Sequence, residues 1–385
     1  MFSFSSINSL IFQSIPVNYT IRIKYMSQHS ISFSKNNNEF ISELRNKIRE
    51  YFDKNHLSKY GNSSILVKSV LMISLYLVPY TLMLLGLIDN MLLFFLGWIL
   101  MGFGTAGLGM ALMHDANHGS LSNNGMFNKW MGHSLFLLGG FPPNWQYQHN
   151  FLHHGFTNIE GHDEDIASNK LLRFSPHTPL SKIHKYQAWY AWLFYSLMTL
   201  SWVTIKDFSR FYNYKKRNAI LSNTKSYNRL LFELIISKII YYLLLLIVPI
   251  IIMHQSWYLI VIGFILMHAT SGFTLSIIFQ LAHVMPTSRY PLPDSNGSVD
   301  NNWAIHQLNT TSNFAPKNKI LSWLIGGLNY QIEHHLFPYI SHVHYKNISY
   351  IVKSTAQKYN LPYYVHNSFW RAIISHFKML KILGA

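Results

Sequence analysis

Stretches without formal charge divide this chain more clearly than any other feature. Residues 69–88 form an uncharged run of 20 between Lys68 and Asp89, and residues 91–113 form a second of 23. A third apolar run covers about 234–253, with Lys238 near one end, where a lysine can snorkel. The fourth, 257–281, is 25 residues long and carries no formal charge. A helix needs about 20 apolar residues to cross a hydrocarbon core, and buried helices of soluble proteins are rarely so long and so free of charge. The pattern predicts an all-α polytopic membrane protein with four transmembrane helices paired as two hairpins.

The connectors within the hairpins are short and lack Lys and Arg: Asp89 and Asn90 in the first, His254, Gln255 and Ser256 in the second. Every Lys and Arg except Lys68 and Lys238 lies in the long segments 1–63, 114–230 and 282–385. By the positive-inside rule, both hairpins turn on the non-cytoplasmic side and the long segments face the cytoplasm. Residues 187–205 are also uncharged, but Trp189, Trp192 and Trp202, with basic residues at both ends, predict a helix lying in the interface. The stretch 131–141 is too short to cross and belongs at the same boundary. Ahead of the first span, Phe40, Ile41, Leu44, Ile48, Tyr51 and Phe52 recur at helical spacing. Residues 1–25 lack the compact apolar core and small-residue cleavage site of a signal peptide; Met26 is a candidate true start because this helical pattern begins only after it, with a cleaved targeting peptide as the weaker alternative. The expected organisation is an N-terminal cytoplasmic segment, 1–63, and one membrane domain, 64–385, with a cytoplasmic helical cap.

Composition then narrows the chemistry. Among 385 residues there is no Cys, and 21 His outnumber the 15 Asp plus Glu. Disulfides, iron–sulfur clusters and thiolate zinc sites are excluded, so a metal here takes imidazole, carboxylate, amide or backbone donors. The net charge is +16, yet the basic residues are not gathered into one run and no nucleic-acid-binding signature is present. Anionic membrane lipid, and not nucleic acid, is the expected partner of the basic segments.

Seven of the histidines fall in three short windows. His114 and His118, in His-Asp-Ala-Asn-His, follow the second span and share one helix face. In His-Asn-Phe-Leu-His-His, His149 and His153 share a face on an α-helix while His154 heads about 100° further round. Gln331-Ile332-Glu333-His334-His335 ends in a second adjacent pair. One such pair means little, but three windows predicted on the same membrane side can build one centre. Seven imidazoles exceed the ligands of a single zinc ion, so two ions are the economical reading. Imidazole suits iron, copper and zinc; zinc has no redox chemistry, and the residues alone leave iron and copper both open.

The three windows and their flanks resemble the histidine boxes of the membrane fatty acid desaturases. The forms HDANH, QHNFLHH and QIEHHLFP look like those of the front-end group, which includes delta-5, delta-6 and linoleoyl-CoA desaturases. Gln331 stands where many other desaturases carry the first His of the third box. The likeness extends through 158–165 and 326–345 and covers the chain from about residue 40 onward. It implies two iron ions held by His114, His118, His149, His153, His154, His334 and His335. It also implies further ligands at His283, just after the fourth span, and at Gln331, directly or through water. His306 is the weaker additional candidate. Asp115, Glu333, Asp163 and Asp165 are candidates to accept a hydrogen bond from ligand imidazoles. His268 inside the fourth span is expected to bond a neighbouring helix; His162, His177, His342 and His344 have no forced partner.

The implied reaction uses O₂ and external electrons to place a cis double bond in a fatty acyl substrate, carried as acyl-CoA or acyl-lipid. Many eukaryotic front-end enzymes carry a fused cytochrome b5 domain with a His-Pro-Gly-Gly motif, which is absent here. A separate electron carrier of cytochrome b5 or ferredoxin type is therefore expected. The chain looks more like the bacterial members, which suggests a bacterial inner membrane in preference to the endoplasmic reticulum. The rival readings are a membrane di-iron hydroxylase, against which Gln331 argues; a metal transporter, whose ligands would lie near the midplane of the spans; and a haem protein, which would leave the adjacent pairs unexplained.

Overall fold

The computed structural model describes residues 31–34, 38–167 and 170–385; residues 1–25 and Met26 lie outside these. Helix α1, Asn38–Lys54, buries Phe40, Ile41, Leu44, Ile48 and Phe52, the face its spacing predicts. The first hairpin is α2 (Ser63–Leu84) and α3 (Met91–Asn117). Between the hairpins run the helical segment 142–156 (α4), Gln187–Ser196 (α5) and the segment 198–216 (α6). The second hairpin is α7 (Tyr227–Ile252) and α8 (Trp257–His283). After it come α9 (Trp303–Thr310), α10 (Gln331–Leu336), α11 (Tyr345–Lys358) and α12 (Phe369–Leu383). Two parallel pairs of two-residue strands tie distant segments: β1 (Ser32–Phe33) to β2 (Ser298–Val299), and β3 (Asn313–Phe314) to β4 (Val365–His366).

The four long helices α2, α3, α7 and α8 are apolar enough to cross a bilayer, so the chain is an all-α, multi-pass membrane protein. Their limits differ from the uncharged runs because two lysines are enclosed rather than terminal. Lys68 lies inside α2, 2% exposed, with its Nζ 2.7 Å from His342 Nε2. Lys238 sits mid-helix in α7 and does not snorkel; its Nζ meets Asp207 Oδ2 of α6 at 2.6 Å in a buried ion pair. The stretch 187–205 is broken at Leu197 between α5 and α6, and 131–141 folds into short helical turns.

Helix α3 packs between α2 and α8 because its glycines let backbones approach. A Cβ at Gly104 would lie 2.8 Å from Tyr76 N of α2, and one at Gly102 would lie 2.6 Å from Met267 O of α8. Such small residues take the place of the hydrophobic drive that helices lack inside lipid. Both hairpin turns fall at one end of the bundle, where Gly86 in the first faces His254 in the second. Helices α3 and α8 therefore finish together at the other end, carrying His114, His118 and His283 there.

Candidate metal centre

Four separate stretches of chain deliver imidazoles to that end. Helix α3 widens into a π-helical turn over Leu108–Met113, directly before His114. Gly326, at φ 61°, presses against this turn, and a Cβ there would lie 2.5 Å from Met110 O. Only glycine fits both the left-handed backbone and the close approach, which brings the segment leading into α10 onto α3. Helix α4 is π-helical over Gln146–His153. Residues five apart then come into line, which corrects the α-helical expectation for His154. Its Nε2 lies 3.3 Å from His149 Nε2 instead of pointing away.

The result is two adjacent groups. Ring nitrogens of His114, His118, His149 and His334 lie within 4.8 Å of one another, and so do those of His153, His283 and His335. His154 stands between the groups, its ring 4.6 Å from His334 and 4.4 Å from His335. Gln331 is buried, and its Nε2 has no partner among the described residues. All of these are buried except His118, which is partly exposed.

The hydrogen bonds show which nitrogens are committed and which are left over. His153 Nδ1 meets both oxygens of Asp163 at 3.2 Å, with Asp165 at 3.5 Å. His335 Nδ1 meets Gln307 Oε1 at 2.9 Å, His334 Nδ1 meets Tyr345 Oη at 3.1 Å, and His283 Nδ1 meets Thr310 O at 3.3 Å. The Nε2 atoms of these same four rings, and of His118, have no partner among the described residues. His114 Nε2 and His149 Nε2 face each other at 3.1 Å. Unpaired buried nitrogens are costly, and lone pairs converging on two spots are the donor set that two cations satisfy.

Electrostatics agree with that reading. Burial first, and then the neighbouring imidazoles, hold His149, His154, His334 and His335 well below the ordinary histidine range, so they are neutral and keep a lone pair. His153 is the exception: burial pulls it down, but Asp163 and Asp165 outweigh burial and raise its pKa. A carboxylate behind a ligand imidazole raises its donor strength in the same way.

A model of the family described as "Fatty acid desaturase" matches residues 90–367, which span every one of these imidazoles. The chain belongs to that family.

Similar proteins point to one branch of it. This desaturase is 32% identical to a "sn-1 linoleoyl-lipid 6-desaturase" of Arthrospira platensis over 89% of this chain and 92% of that protein. A Synechocystis protein with the same description is 29% identical over 89% and 94%. An "Acyl-lipid (8-3)-desaturase" of Physcomitrium patens is 30% identical over 90% and 72%. The chain is an O₂-dependent fatty acyl desaturase related to the front-end group, and its histidine clusters form a di-metal site.

The remaining candidates of this desaturase fall into place around the centre. Asp115 accepts hydrogen bonds at Oδ2 from Ser341 Oγ at 2.8 Å and His342 Nδ1 at 2.8 Å, with its other oxygen 3.9 Å from His114 Nδ1. Glu333 turns from the imidazoles and accepts from Tyr363 Oη and Asn313 Nδ2, each at 2.8 Å. Burial nonetheless pushes its carboxyl up to about 7, against the pull of those two bonds. His306 Nε2 bonds Thr157 O at 2.8 Å, outside both groups. His268 bonds Tyr241 and Thr199, each at 3.1 Å, as expected of a histidine held by neighbouring helices. His177 and His344 bond backbone carbonyls of Tyr290 and Tyr60, and His162 lies beside Glu160 O. Sequence reasoning passed over Gln307, Tyr345 and Thr310. Each lies in a stretch without a box, and only tertiary contact reveals its role.

Proposed function

We propose that this chain is a front-end desaturase acting on a lipid-linked acyl chain, with the 6-position of a linoleoyl group as its first candidate. Similarity to the linoleoyl-lipid 6-desaturases over nearly the full length of both chains supports the carrier and the position. In this reading one iron is held by His114, His118, His149 and His334. A second is held by His153, His283, His335 and Gln331, and His154 lies within reach of both. The observation that carries it is the pairing of two imidazole groups in which Nε2 of His118, His334, His153, His283 and His335 has no partner among the described residues, while His114 Nε2 and His149 Nε2 meet only other imidazoles.

Iron supplies the O₂ activation and electron transfer that side chains cannot. Converting –CH₂–CH₂– to –CH=CH– with O₂ releases two waters, so two external electrons and two protons are consumed with the two substrate hydrogens. A separate carrier of cytochrome b5 or ferredoxin type supplies those electrons. The protein's own part is placement. Asp163, Gln307, Tyr345 and the Thr310 carbonyl hold Nδ1 of their imidazoles and aim each Nε2 inward. Burial keeps water from the reacting carbons. The centre faces the cytoplasm in this reading, and the basic segments beside it meet anionic lipid.

The test is expression in a host without polyunsaturated lipids, with linoleate supplied and double bonds mapped in each lipid class. A new bond at carbon 6 in intact lipid is expected. Product one oxygen heavier would instead assign a hydroxylase, and purified protein holding one zinc per chain would overturn the di-iron reading.

A further inference from the structure

Gln307 belongs to no histidine box, yet it joins two of them. It lies on α9, whose start is capped by the Asn302 side chain accepting from Ile305 N at 3.0 Å. The residue is completely buried. Its Nε2 donates to the backbone carbonyl of His154 at 3.1 Å. Its Oε1 lies 2.9 Å from His335 Nδ1 and 2.9 Å from Thr157 Oγ1.

These contacts allow the amide one orientation. The His154 carbonyl can only accept, so it must meet the amide NH₂ and not its oxygen. That choice turns Oε1 toward His335, and an oxygen there requires a proton on Nδ1. The Nε2 of His335 then carries the lone pair, and it is this atom that lacks a partner. The alternative tautomer would set two lone pairs against each other in a dry interior, where an unmet polar contact is expensive.

We propose that Gln307 is a positioning residue that selects the metal-binding tautomer of His335 and locks it to the backbone of the second histidine box. This rests on the ligand assignment proposed above. The predicted consequence falls first on the His153–His283–His335 group, because Gln307 bonds the His335 ring itself but meets His154 only at its backbone carbonyl. Removing the acceptor frees the His335 ring to turn or to exchange its proton, and the affinity of that group falls. Outer partners of metal-bound imidazoles typically contribute about 10–100-fold in affinity.

The experiment compares Gln307→Met, close in shape but without the amide, with Gln307→Glu, which keeps the acceptor, and with His335→Ala. Each full-length protein is purified in detergent. Iron per chain and the rate of iron release to a chelator are measured, along with the thermal midpoint of the iron-free form. Gln307→Met is expected to drop from two irons toward one, like His335→Ala, and to release the labile iron about 10–100-fold faster. Gln307→Glu, which keeps the acceptor for His335 but loses the donor to the His154 carbonyl, should fall between Gln307→Met and the unsubstituted protein. Two irons and an unchanged release rate in Gln307→Met would overturn the proposal. So would equal loss in both Gln307 variants together with a matching drop in the iron-free midpoint, which would mark a packing role. If the unsubstituted protein itself binds no second iron, the ligand assignment falls and this inference with it.

Discussion

At the scale of single residues, the centre depends on which nitrogen of each ring is already engaged. Replacing His154 or His335 with Ala should abolish product, read as fatty acid composition, while the protein still reaches the membrane; full activity in either would contradict the two-group arrangement. His376 makes a separate prediction away from the centre. Its Nδ1 bonds Val284 O and its Nε2 bonds Tyr195 Oη, both at 2.8 Å. Burial lowers its pKa to about 4, only partly offset by the Val284 carbonyl. The unfolded chain takes up this proton below about 6.5, while the folded chain resists until about 4. Stability is therefore fully present above pH 6.5 and declines as pH falls toward 4. Melting followed across that window should be flatter in His376→Phe, by up to about 1.4 kcal/mol per pH unit. An unchanged slope would count against a neutral His376. The box histidines were legible in the sequence because they cluster. Gln307 and Tyr345 were not, because a lone polar residue announces nothing until its partner, 28 or 11 positions away, is known.

Among elements, the spans were readable from charge-free runs, but their ends were not. A lysine marks a boundary only if it faces water, and Lys68 and Lys238 are enclosed by His342 and Asp207. The Lys238–Asp207 pair fixes α7 to α6, and Asp207 also accepts from Asn144 Nδ2 at 3.2 Å, at the start of the helix bearing the second box. Lys238→Met leaves that carboxylate buried and unpaired, a change costing about 3–5 kcal/mol. A clear fall in the detergent melting midpoint is expected, with most of it recovered when Asp207→Asn is added. No fall would show that the pair is not closed in solution. The π-helical turns in α3 and α4 were likewise invisible, since both sequences suit an ordinary helix. Tertiary packing selects the wider turn, and with it the heading of His154.

Across the whole molecule, the two hairpin turns meet at one end and the imidazoles at the other. The absence of Cys makes the sidedness directly measurable. Single substitutions Asp89→Cys and Gln255→Cys should react with a membrane-impermeant thiol reagent from the same, non-cytoplasmic face. Thr224→Cys, between α6 and α7, should react only from the other. Labelling of Asp89→Cys and Thr224→Cys from one side would break the proposed topology. The imidazoles also come from points spread between residues 114 and 335 of a 385-residue chain. Synthesis must therefore pass residue 335 before the last donors can join the first. Ion capture by the full donor set cannot be completed on any shorter nascent chain.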